Sequence, residues 1–353
     1  MRVTGTLQRE AWLRKELPPV ERVVPGVWSV PVPIPDNPLR YVLSYLIEHQ
    51  SGFVLVDPGW DAPASWQALT EGLAACSVPL SAVTAVLVTH VHPDHHGLSG
   101  QVREASGAWI GMHEGEDALL TRVSQPDSRG AMTGYLRWCG APDEHIEQLT
   151  DQGRRSANGA MARGAMVRAD RFIAHGDLVD VPGLRLRAVW TPGHSPGHLC
   201  FHDETHGLLL TGDHVLPRIT PNISAWDRES EPLDAYLASL EELRAIEPSQ
   251  VLPAHEYRFI GLASRIAGLR AHHQARLAEV MALLRAVPGR TSVQVAEELV
   301  WSRPWEQMQG MQRRFAVGEA YSHLVHLERT GFVVNKGIDV DSWSPLRDVD
   351  PQL

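Results

Sequence analysis

The residues best equipped for chemistry in this chain are the histidines and aspartates of THVHPDHHG, residues 89–97. His90 and His92 stand two apart, and Asp94 and His95 follow at once. The segment comes directly after AVTAVLVTH, an apolar run of β-formers. A turn at a strand end can aim alternate side chains into one pocket while the strand holds the backbone beneath them. Imidazoles and carboxylates are the ligands of zinc and similar borderline metals, at about 2.0–2.2 Å. Four such residues in six positions are more than the decoration of a solvated turn. Three further turns repeat the pattern. TPGHSPGH (191–198) presents His194 after LRLRAVW, TGDH (211–214) presents Asp213 after GLLL, and LPAHEY (252–257) presents His255 after a short strand. A metal site gathered from several strand ends is expected. Two cations about 3.5–4 Å apart would acidify a bridging water to hydroxide near neutral pH and polarise a scissile carbonyl or phosphoryl oxygen.

The elements that must position these residues can be read around them. VWSVPVPIP, YVLSYLIEH and GFVLVDPG form short strands between Val24 and Asp57. A helix is expected from Ala62 to about Ala75, a short one near Ser99–Ser106, and a strand at WIGMH, 109–113. From Glu114 to about Arg171 the pattern becomes weakly helical, with Gly-rich gaps at 153–164, as in an insertion. Strands resume with RFIAHGDLVDV, LRLRAVWT, HLCFHD and GLLLTGDHV. A helix follows with Leu233, Leu237, Leu240 and Leu243 on one face. Beyond Phe259 three helices and a short apolar wing resemble a winged-helix module. The order of elements points to an α/β sandwich more than to an open Rossmann sheet.

Length and composition bound the rest. With 353 residues, about two domains are expected. Apolar residues at 43% and charged residues at 21% exclude a mainly disordered chain. A formal charge of −10 argues against a molecule built as a polyanion binder. Residues 262–336 differ, with 10 basic and 6 acidic residues and a net charge of +4. Three cysteines with no CxxC pair indicate neither a thiolate zinc knuckle nor a disulfide scaffold. The first twenty residues do not read as a signal peptide, and no apolar stretch approaches the roughly 20 residues that span a bilayer. A cytoplasmic protein without membrane association is the expectation.

These motifs together resemble the metallo-β-lactamase fold superfamily, over about residues 24–260. The resemblance implies an αββα sandwich with a dinuclear metal site at the edge of two packed sheets. HVHPDH, residues 90–95, matches the family's HxHxDH motif. On that pattern His90, His92 and His194 hold one divalent ion, while Asp94, His95 and His255 hold the other. Asp213 bridges them, and Asp57 in LVDPGW supports the ligand loops without binding metal. The implied organisation is a catalytic domain at 20–261 with the insertion at about 114–171, a winged-helix-like domain at 262–336, and a tail at 337–353. Zinc is the expected metal, with iron and manganese open because nitrogen and oxygen ligands suit all three.

Departures within the family narrow the activity. The commonest zinc β-lactamases place a cysteine at the position matched here by Asp213. Persulfide dioxygenases leave the second ligand set unused, and flavodiiron proteins place a glutamate where His92 stands. PAHEY (253–257) and TPGHSPGH resemble the GHEY and TPGHTxGH stretches of hydroxyacylglutathione hydrolases, with Ala254 in place of a glycine. Hydrolysis of a small-molecule ester, thioester or lactone by a metal-bridging hydroxide is the expected function. Asp94 serves as proton acceptor and Tyr257 as hydrogen-bond donor. Met132, Tyr135, Leu136 and Trp138 are expected in the pocket wall. His198 and His214 are expected to support the ligands. The alternatives are a metal-dependent endoribonuclease or other phosphodiesterase using the winged helix for nucleic acid, and a non-heme iron persulfide dioxygenase. The winged helix could instead pair two subunits as a homodimer.

Overall fold

The computed structural model describes the backbone of residues 1–155 and 166–353, and the side chains of 1–150 and 166–353. The chain begins with β1 (Arg2–Val3) and α1 (Thr6–Arg14). Four strands follow, β2 (Glu21–Val24), β3 (Val27–Pro33), β4 (Tyr41–His49) and β5 (Gly52–Val56). Next come α2 (Pro63–Ala75), β6 (Val83–Leu87), α3 (Pro93–His96), α4 (Ser99–Ser106) and β7 (Trp109–Met112). Three helices, α5 (Glu114–Ser124), α6 (Ser128–Trp138) and α7 (Asp143–Arg155), precede β8 (Arg171–Phe172). Strands β9 (Leu186–Trp190), β10 (Leu199–Asp203) and β11 (Leu208–Gly212) lead to α8 (Pro232–Leu243), β12 (Gln250–Pro253) and β13 (Phe259–Ile260). The chain ends with α9 (Leu262–Ala286), α10 (Ser292–Glu298), α11 (Met311–Arg329), β14 (Val333–Asn335) and β15 (Trp343–Pro345).

Two mixed sheets carry the sandwich, ordered β2-β3-β4-β5-β6-β7-β8 and β1-β13-β12-β11-β10-β9. Strand alternation explains their packing, because successive side chains point to opposite faces. In β4, Tyr41, Leu43, Tyr45 and Ile47 enter the core shared with Leu186, Leu199, Phe201, Leu210 and Leu252 of the other sheet. Their neighbours Val42 and Leu46 enter a second core with Leu69 and Leu73 of α2 and Val102 of α4. Strands β5, β6 and β7 run parallel, so the chain leaves β5 and β6 at the same sheet edge. Strands β11 and β12 are parallel as well. The turns that carry the candidate ligands all follow these strands or β9.

The chain separates into two compact units. Unit 1 comprises Met1–Val123, Ala160–Pro221 and Leu240–Ile266, and unit 2 comprises Ser124–Gly159, Asn222–Ser239 and Ala267–Leu353. In unit 2, α10 starts with a capping box in which Thr291 Oγ1 accepts from Gln294 N and the Gln294 side chain accepts from Thr291 N. The terminal segment is more than a tail, because β15 pairs antiparallel with β14 and buries Trp343. RFIAHGDLVDV supplies only the two-residue β8, then a short turn where Ala174 N donates to Asp177 Oδ2 and an isolated bridge of Leu178 with Arg187 of β9. The Gly-rich stretch of the expected insertion lies, from residue 156 to 164, outside the described residues. Of the apolar residues expected in a pocket wall, Tyr135, Leu136 and Trp138 are buried in unit 2. There Tyr135 meets Tyr321 edge-on, and Arg228 lies over Trp138.

Candidate metal centre

Each potential ligand sits just past a strand end in unit 1. After β6 come His90 and His92, and α3 begins at Pro93, so Asp94 and His95 lie in its first turn. His194 stands between β9 and β10, Asp213 follows β11, and His255 follows β12. Gly212 makes the Asp213 position attainable. Its φ of 48° is left-handed, and a Cβ there would lie 2.6 Å from His198 Nε2. Asp57 and Glu256, with φ of 52° and 68°, also hold left-handed backbone, which costs a non-glycine residue energy and is met at sites that need a set geometry.

The seven residues fall into two groups whose donor atoms lie within 4.8 Å of one another, His90, His92, His194 and Asp213 in one, and Asp94, His95 and His255 in the other. In the first group His92 Nδ1 lies 2.8 Å from His90 Nε2 and 3.1 Å from His194 Nε2. A tetrahedral ion with Zn–N bonds of about 2.0–2.1 Å would hold such nitrogens roughly 3.3 Å apart, so a small relaxation seats one. Asp213 faces both groups. Its Oδ2 is 3.6 Å from His194 Nε2, while its Oδ1 is 3.6 Å from His95 Nε2 and 3.2 Å from His255 Nε2. Asp94 Oδ2 lies 3.7 and 3.4 Å from the same two ring nitrogens. Yet His95 Nε2, His255 Nε2 and Asp213 Oδ1 are buried without a hydrogen bond. Buried polar atoms are normally satisfied, and three orphans facing one point fit a cation.

The opposite ring edges are fixed by partners. His95 Nδ1 lies 2.8 Å from Asp57 Oδ2, and His255 Nδ1 lies 2.8 Å from the Tyr41 carbonyl oxygen. Each proton is thereby held on Nδ1, leaving Nε2 as the inward donor atom. Asp57 also accepts from Thr89 N at 2.8 Å and Thr89 Oγ1 at 2.7 Å, so it ties β5 to the start of the ligand loop. His198 Nε2 accepts from Asp213 N at 3.3 Å, and Thr191 Oγ1 meets its Nδ1 at 2.8 Å. His214 packs beside His198, with ring centroids 5.6 Å apart. Tyr257 is buried, its phenol pushed up by burial and by Glu256 against the opposing pull of Arg9, Arg218 and Arg265.

Charge separates the two groups. Burial and the neighbouring imidazoles, His194 above all, hold His92 down at about 3, and His90 also lies well below its ordinary range. Burial opposes charge on His95 and His255 too, but Asp213 and Asp94 outweigh it and raise His255 to about 10. Two carboxylates thus concentrate enough negative potential to keep protons on two buried imidazoles. A bound cation would supply that positive charge and release the protons.

Comparison with known proteins agrees with this geometry. The family model for the metallo-beta-lactamase superfamily matches residues 37–255. The chain is similar to the lactamase-like protein adaB of Aspergillus niger, 28% identical over 273 residues, 76% of this chain and 67% of that one. It is similar to the atrochrysone carboxyl ACP thioesterase AgnL7 of Paecilomyces divaricatus, 27% identical over 66% of this chain and 73% of the relative. Among solved structures, a metallo-beta-lactamase family protein from Thermus thermophilus superposes with a TM-score of 0.76 at 30% identity, covering 92% of this chain and 100% of that one. With the model match covering more than half of the chain and all of the candidate ligand turns, the chain belongs to the metallo-beta-lactamase superfamily and is a metal-dependent hydrolase.

Proposed function

We propose that this chain hydrolyses a small-molecule acyl ester or thioester at a centre of two divalent ions, with zinc as the metal. The observation that carries the reading is Asp213, whose two oxygens face different ligand groups. When bound, the cations would supply the Lewis acidity that activates water and polarises a carbonyl. His90, His92 and His194 would hold one, Asp94, His95 and His255 the other, and Asp213 both. Asp57 and the Tyr41 carbonyl keep the imidazoles of His95 and His255 turned inward throughout. Asp94 is drawn down to about 2, since His95 and His255 outweigh its burial, and so is ionised at neutral pH. It is our candidate to accept a proton as the tetrahedral carbon collapses. Tyr257 is our candidate hydrogen-bond donor to the substrate.

The thioester class is favoured by the likeness to a relative named as a thioesterase. A nuclease reading is less favoured. Arg313 and Arg314, the adjacent pair of the C-terminal region, lie 5.0 Å from the Trp305 ring centroid and 5.3 Å from that of Trp226. Both are thus drawn into unit 2 packing. We also propose that 262–336 is a winged-helix-like domain, with α9, α10 and α11 as its helices and β14 in its wing, serving as support. No helix among the described residues is long and apolar enough to cross a membrane. The three free cysteines, two of them buried, suit the cytoplasm we propose.

The test is a panel of acyl thioesters, aryl esters, lactones, a β-lactam and single-stranded RNA, run on protein whose metal content has been measured. Turnover of a thioester or ester with about two zinc ions per chain supports the reading. Cleavage of RNA alone, or a single iron with no second ion after reconstitution, sinks it.

A further inference from the structure

We propose that Glu116 is a positioning residue for the metal centre, its carboxylate clamping together the two loops that carry His90, His92 and His194. The inference rests on the metal-centre reading above. Glu116 lies in the first turn of α5, is fully buried, and belongs to neither candidate ligand group. Its two oxygens go to different loops. Oε2 accepts from Val91 N at 2.8 Å, and Oε1 accepts from Gly197 N at 2.7 Å. Val91 is the residue between His90 and His92, and Gly197 lies three residues after His194 in the same turn. One buried carboxyl side chain therefore fixes two backbone positions 106 residues apart, each through an N–H···O hydrogen bond.

The packing around it is built for this reach. A Cβ on Gly197 would lie 2.5 Å from Glu116 N and 2.9 Å from Glu116 Cγ, and one on Gly115 would lie 3.1 Å from Gly197 Cα. The start of α5 and the His194 turn thus meet backbone to backbone, which a side chain at 197 would force apart. His90, His92 and His194 are the three imidazoles of the first group, and their mutual spacing depends on how far apart their loops sit. Thr191 N donates to the His198 carbonyl oxygen and closes the second loop, while Glu116 joins that loop to the first at Gly197.

Glu116→Gln tests this, since it keeps the size of the side chain but turns an amide N–H₂ toward one of the two backbone donors. Metal-stripped parent and variant are titrated with zinc and cobalt(II) against a chromophoric chelator, and the cobalt absorption bands are recorded. Weakening of the tighter ion by about 10–100-fold is expected, the range for lost outer-sphere partners, with altered cobalt bands. Asp203→Asn is the control. Asp203 is an equally buried carboxylate that accepts from Thr205 N and His206 N, away from the ligand turns. It should cost stability while leaving metal affinity and bands as in the parent. Should Glu116→Gln not fold, Gly197→Ala opens the same clamp by pressing on Glu116, and the same loss is expected.

Parent-like affinity and bands in Glu116→Gln overturn the clamp and leave the metal centre standing. Equal losses in Glu116→Gln and Asp203→Asn also overturn it, since generic destabilisation then accounts for the effect. A parent chain that takes up no metal overturns both the clamp and the reading beneath it.

Discussion

In unit 1 the imidazoles of His95 and His255 face the carboxylates of Asp94 and Asp213, whereas in unit 2 the buried imidazoles of His273 and His323 face each other. The unit 2 pair stacks with ring centroids 5.3 Å apart. His323 Nδ1 donates to the Glu319 carbonyl oxygen at 2.7 Å, which leaves Nε2 to accept from His273 Nδ1 at 3.1 Å. Burial holds His323 down at about 3, aided by Arg276, His272 and His326, and His273 lies well below its ordinary range for the same reasons. The Tyr236 ring closes the edge of His273. A row of buried histidines is therefore not in itself a cation site. Carboxylates set among them make the difference, because only that arrangement gains when positive charge arrives.

Four experiments bear on this contrast. The largest effect is expected from Asp213→Ala, which removes the carboxylate facing both ligand groups. Hydrolysis should fall by more than about 100-fold, beyond what changing a supporting residue costs, and bound metal should fall with it. Retention of full metal content would break the bridging assignment. Next, Asp57→Asn disturbs the acceptor that holds the His95 proton on Nδ1. Metal affinity should weaken by about 10–100-fold, measured by chelator competition.

Acid should act on the unit 2 pair. Both imidazoles titrate lower in the folded chain than the ordinary 6.5, so the unfolded chain takes up protons first. Their contribution to stability is complete above about pH 6.5 and is lost as pH falls toward 3. The slope is about 1.4 kcal/mol per pH unit for each proton the folded state excludes. Denaturant midpoints from pH 8 to pH 4 should show a shallower acid slope when His273→Leu and His323→Leu are combined, and equal slopes would refute the account. The smallest effect concerns metal itself. That double replacement should leave metal content as in the parent, and any loss would show that the two clusters are not independent.

The candidate site was largely legible because each candidate ligand follows a strand at a Pro or Gly turn, as in TPGHSPGH and TGDH, and folding brings these residues into two groups. Strand β4 was legible as a run of apolar β-formers, and its apolar residues divide alternately between the two cores. Other elements were not. Strand β1 is two residues long and gains its place by pairing with β13 near the far end of the sandwich sequence. RFIAHGDLVDV has the apolar content of a strand, but its Asp177 is spent on a local turn, accepting from Ala174 N. Trp343 sits in an acidic stretch that reads as a tail, yet its indole N–H reaches the Asp341 carboxylate at 2.7 Å in a buried pocket. Glu116 carries no motif, because its partners are backbone N–H groups that any residue offers.

By itself the sequence determined the donor types, their places at strand ends, and the sandwich that presents them, since these follow from local periodicity and turn chemistry. The tertiary structure decided which oxygen of Asp213 faces which candidate group and which nitrogen of each imidazole points inward. Those choices are made by partners distant in the chain, Asp57 for His95 and the Tyr41 carbonyl, 214 residues away, for His255. A ring nitrogen's role depends on what meets the opposite edge of the ring, and only folding brings that partner within hydrogen-bonding distance.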